Sequence, residues 1–71
     1  MDTNKRFTEI TGRLIYPLAL GMPAYIKQDD EILKTSPIVS VKSMTESMTR
    51  FETRNTDYLM YFDGGIKYDR A

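Results

Sequence analysis

Residues 50–62 read RFETRNTDYLMYF, and this stretch decides the fold. Around its start, MTRFETR (48–54) alternates. Thr49, Phe51 and Thr53 fall on one side, and Arg50, Glu52 and Arg54 on the other. That is the two-residue period of a half-buried strand. Asn55-Thr56 follows as a turn, since Asn accepts positive φ. DYLMYF (57–62) then returns as a second strand, which places Arg54 opposite Asp57. In that strand Tyr58, Met60 and Phe62 point one way, and Leu59 and Tyr61 the other. One core can take only one of the two sets. The other set must face solvent, a covering loop, a twin subunit or a partner.

Working outward, SMTESM (43–48) is a polar connection, read as a loop in preference to a helical turn capped by Ser43. ILKTSPIVSVKSM (32–44) is a long strand centred on Val39 and Val41. It bends at Thr35-Ser36-Pro37, because Pro37 has no N–H to give a ladder. QDDE (28–31) is a tight acidic turn, preceded by the strand AYIKQ (24–28). EITGRLIYP (9–17) is the first strand, bent or bulged at Gly12. YPLALGMP (16–23) is a loop with apolar residues of its own, and Leu18 and Leu20 are expected to tuck beneath the sheet. No segment keeps a 3.6-residue apolar period. The pattern predicts an all-β fold, a small five-stranded, strongly curled antiparallel sheet or SH3-like barrel. The barrel is expected over residues 9–63, with a frayed N-terminus (1–8) and a C-terminal tail (64–71).

The chain has 71 residues, ten basic and ten acidic, with no cysteine and no histidine. Disulfides and His- or Cys-based structural metal are therefore excluded. A core this small seldom supplies more than about 3–5 kcal/mol, which leaves close packing and self-association as reinforcement. Missing histidine and cysteine remove the commonest general base and the strongest nucleophile, so no enzyme is expected. Asp29-Asp30-Glu31 reads as a solvated turn. Asp63-Gly64-Gly65 lacks the pattern of a phosphate loop. No metal or other cofactor is expected. MDTNKRFTEI (1–10) is too polar for a secretory leader, and the longest apolar run, LIYPLALGMPAYI (14–26), is broken by two prolines and a glycine. The expected location is the cytoplasm, with no membrane partner.

TGRLIYPLALGMPAYI (11–26), LKTSPIVSV (33–41) and FETRNTDYLM (51–60) together resemble a loose group of very small proteins of bacteria, their phages and other mobile elements. The resemblance implies an accessory role, such as binding and blocking a host or defence complex. It carries over no functional residue.

Tyrosine flanked by arginine is common in binding surfaces. Tyr25, Arg50, Arg54, Tyr58 and Tyr61 are the expected contact residues, and the outward set of 57–62 is expected to form one exposed patch with Tyr25 and Ile15. The first expectation is a non-enzymatic module that docks on a protein or pairs with a second copy. The alternative is a nucleic-acid-binding barrel, in which Tyr25 and Tyr61 stack bases while Arg13, Lys27, Arg50 and Arg54 hold phosphates. Zero net charge favours the first.

Overall fold

The computed structural model describes residues 5–63. Five strands follow in order: β1 (Arg6–Leu14), β2 (Pro23–Gln28), β3 (Glu31–Met44), β4 (Met48–Thr53) and β5 (Thr56–Phe62). Each pairs with its neighbour in sequence, and β1 closes on β5 to complete a barrel. The fold is the small five-stranded SH3-like barrel read from the sequence, with one amendment. An odd number of strands running up and down leaves the first and last pointing the same way. The closing seam, Arg6↔Thr56 through Gly12↔Phe62, is therefore parallel, while the other pairs are antiparallel.

Two strands turn corners and serve two sheets. β1 pairs with β5 as far as Gly12, then with β2 through Arg13↔Lys27 and Leu14↔Ile26. β3 pairs with β2 up to Pro37, then with β4 from Ile38. The result is a four-stranded sheet (late β3, β4, β5, early β1) packed against a three-stranded one (late β1, β2, early β3). At the first corner a Cβ on Gly12 would lie 2.6 Å from the Lys27 carbonyl oxygen and 2.9 Å from Ile26 Cγ2, so only glycine fits. At the second corner Pro37 faces Pro23, which confines both missing N–H groups to one step of the ladder. The register shifts there, and the Ala24 N–H turns to the Thr35 hydroxyl at 2.9 Å, which donates to the Ser36 carbonyl at 2.7 Å.

The core contains Ala24, Ile26, Ile38, Phe51 and Met60, all buried, with Ile10, Leu14, Leu18, Leu33, Tyr58 and Phe62 packed around them. Each fully buried large side chain contributes about 1.5–3 kcal/mol. Thr35, Thr49 and Thr53 are buried too, and their hydroxyls donate to the carbonyls of Ser36, Ser43 and Thr56. No buried side-chain polar atom among the described residues lacks a partner. The Tyr58–Met60–Phe62 face of β5 is therefore the inward one.

Several local expectations need correction. β1 starts at Arg6, because residues 6–8, expected to fray, pair with residues 56–58 of β5. It ends at Leu14 and not at Pro17. The β4–β5 loop is Arg54-Asn55, one residue earlier than read, with Glu52 opposite Asp57. In this register Phe51 lies opposite its stacking partner Tyr58, and the inward Thr53 hydroxyl reaches the Thr56 carbonyl at 3.5 Å. Leu18 packs inward as expected, but Leu20 does not. Its backbone bridges to Ile38, and the Gly21 N–H, at φ 86°, bonds the Ile38 carbonyl. The loop thus lies along β3 with the Leu20 side chain outward. The acidic β2–β3 turn forms as read, with Asp29 at φ 50°. Residues 43–48 form no helix: the Thr45 hydroxyl accepts the N–H groups of Ser47 and Met48 in a tight turn. Residues 1–4, Gly64-Gly65 and the rest of the 64–71 tail lie outside the described residues.

Candidate functional site

The outer face of the four-stranded sheet carries a neutralised cluster of charges. Antiparallel pairing sets two carboxylates, Glu52 and Asp57, directly opposite each other, an arrangement that destabilises a sheet unless it is neutralised. Lys42 lies 2.7 Å and Lys5 3.3 Å from Glu52. Arg50 grips Asp57 with two N–H donors, at 3.3 and 3.2 Å, and its guanidinium sits 5.6 Å from the centre of the Phe7 ring. The Arg50 hydrogen bonds hold the Asp57 carboxyl below its ordinary range, and Lys42 does the same for Glu52. Arg50, expected as a contact residue, already has its anion.

The other expected contact residues scatter. Tyr58 is stacked against Phe51 at 5.0 Å and 20°, half-buried on the core side of β5. Arg54 is exposed in the β4–β5 turn. Tyr61 is exposed between Met48 and Thr11, beside a cleft of about 550 Å³ lined by Glu9, Thr11, Gln28, Asp29 and Asp63 among others. Tyr25 lies on the other sheet. The pairing of Tyr25 and Ile15 with Leu59 and Tyr61 into one patch does not form.

The outer face of the three-stranded sheet differs. Successive ladder steps lay out two rows across β1, β2 and β3. One row is Arg13, Lys27, Ile32; the next is Ile15, Tyr25, Lys34. The Ile15 N–H bonds the Tyr25 carbonyl at 3.0 Å, which extends the β1–β2 ladder to that step. Tyr16 meets Tyr25 edge to face at 5.6 Å, and Lys34 Nζ lies 5.8 Å from the Tyr25 ring centre. Arg13 and Lys27 are like charges directly opposite each other. Among the described residues no carboxylate comes within ion-pair distance of Arg13, Lys27 or Lys34.

Beyond the Pro23–Pro37 step lies the β1–β2 loop. Tyr16, Leu20 and Met22 are 62%, 66% and 57% exposed. The loop backbone is fastened: Gly21 N–H to the Ile38 carbonyl at 2.8 Å, Ile38 N–H to the Met22 carbonyl at 2.9 Å, and Met22 N–H to the Ala19 carbonyl at 3.1 Å. Tyr16, Leu20, Met22, Ile32 and Lys34 belong to this exposed surface and were not singled out from the sequence as contact residues. The available signal was the apolarity of 14–26: a loop runs over the surface, so leucine and methionine in it are more than its backbone needs. The chain matches no family model, no curated protein and no solved structure. No helix among the described residues is long and apolar enough to cross a membrane.

Proposed function

We propose that this chain is a non-enzymatic protein-binding module that docks through the outer face of its three-stranded sheet and the apolar loop at the end of that sheet. One observation carries the reading. Leu20 and Met22 stand out from a loop end whose backbone is tied to β3 by hydrogen bonds, and Tyr16 packs edge to face on Tyr25, so the three are displayed in place and not left loose. A side chain already held in its bound position loses less entropy when a partner covers it. The absence of histidine and cysteine from the sequence supports the non-enzymatic half of the reading. The accessory or inhibitory role implied by the resemblance, in the cytoplasm and against a host or defence complex, would be exercised by such docking.

The test is cross-linking in extract of the native host, followed by mass spectrometry. The wild-type chain should cross-link to one defined protein. Leu20→Ser combined with Met22→Ser should lose that adduct without lowering the melting temperature, since both side chains are exposed. A wild-type chain that cross-links to nothing, or a double variant that captures the same protein equally well, would contradict the reading.

A further inference from the structure

The barrel handles two like-charge cross-strand pairs in opposite ways. Glu52 and Asp57 face each other on the four-stranded sheet, and three cations, Lys5, Lys42 and Arg50, close on them. Arg13 and Lys27 face each other on the three-stranded sheet, one diagonal step from Lys34, and no described carboxylate closes on any of the three. Like charges directly opposite weaken a sheet. Among the described residues no ion pair offsets this repulsion, and an anionic partner would relieve it.

Resting on the docking reading above, we propose that the partner presents an acidic protein segment, with carboxylates on Arg13, Lys27 and Lys34 and aliphatic side chains against Ile15, Tyr25 and Ile32. Two observations favour an acidic polypeptide over a nucleic acid on this face. A single-strand platform needs successive free aromatic faces. Here Tyr25 is engaged by Tyr16 and Lys34, which leaves Tyr16 as the one well-exposed ring of the face. Exposed Ile15, Ile32, Leu20 and Met22 match aliphatic side chains, not base planes.

The probes are a short peptide of glutamates with two interspersed leucines and a single-stranded thymidine oligonucleotide, each titrated into the isotopically labelled full chain and followed by amide NMR. The peptide should shift amides of residues 13–15, 25–27 and 32–34, leave the outer face of β4–β5 unmoved, and bind more weakly as salt rises. Lys27→Gln should weaken it about two- to fivefold, as loss of one exposed ion pair does. The same variant should melt no lower than wild type, because it relieves Arg13. Combined Arg13→Gln, Lys27→Gln and Lys34→Gln should abolish binding with the fold intact. Tighter binding of the oligonucleotide than of the peptide overturns the proposal, as do salt-independent binding or shifts confined to another face. In the cross-linking assay, a host protein lost by the Leu20/Met22 variant but kept by the triple variant sinks the acidic segment and leaves docking standing. A host protein kept by both variants sinks the docking reading itself.

Discussion

Replacing Gly12 with alanine puts one methyl group where β1 leaves β5 for β2. The new Cβ would lie 2.6 Å from the Lys27 carbonyl oxygen, 2.9 Å from Ile26 Cγ2 and 3.2 Å from Gln28 Cγ. The Gln28 side chain can swing away. The other two neighbours cannot, because one is strand backbone and the other belongs to a fully buried side chain. Overpacking of this kind costs about 1–3 kcal/mol. Alanine returns about 0.4–1 kcal/mol by stiffening the unfolded chain. The net loss of about 1–2 kcal/mol is a large share of the roughly 3–5 kcal/mol that a core of this size supplies. For a urea slope of about 1 kcal/mol/M, the unfolding midpoint followed by circular dichroism should fall by about 1–2 M. An unchanged or raised midpoint would mean that β1 does not cross β2 this closely, and the corner that closes the barrel would be wrong.

Thr35→Val should cost about 1–3 kcal/mol by leaving the Ala24 N–H without its acceptor, whereas Thr35→Ser should restore most of it; equal midpoints for the two variants in urea would contradict this. Acid should destabilise the barrel through Asp57 and Glu52. Both carboxyls are held below their ordinary values, so in that window the unfolded chain binds more protons than the folded one. Their contribution is present above a pH of about 4 and is lost as pH falls through the lowered folded values. Melting curves against pH should show this decline, and Asp57→Asn should flatten it; a variant that keeps the full slope would exclude the Arg50–Asp57 pair as a source. Tyr61→Ser should leave capture of the partner unchanged, since Tyr61 lies off the three-stranded sheet, and a lost adduct would move the binding face toward β5.

The strands were legible because their alternation is strong. Thr49-Arg50-Phe51-Glu52-Thr53 carries its inward face openly, and Gly12 and Pro37 mark the two corners by what they lack. Turn register was less legible. Arg54, Asn55 and Thr56 all suit a turn, and the pairing that sets Phe51 opposite its stacking partner Tyr58 is a tertiary fact. Which face of 57–62 enters the core could not be read either, since both faces are apolar; stacking of Tyr58 on Phe51 decides it. The surroundings of the expected contact residues were hidden for a related reason. Sequence shows that Arg50 has a charge, but not that Asp57 holds it through a diagonal pair. It shows that Arg13 and Lys27 are basic, but not that the β1–β2 register sets them face to face.

The most direct measurement pairs two readouts on one variant, Lys27→Gln: melting temperature alone, and affinity for the captured partner. A residue kept for a partner's sake, against the interest of its own sheet, should give a protein that melts no lower and binds more weakly. A variant that melts lower and binds as tightly as before would make Lys27 part of the scaffold and leave this face without a role.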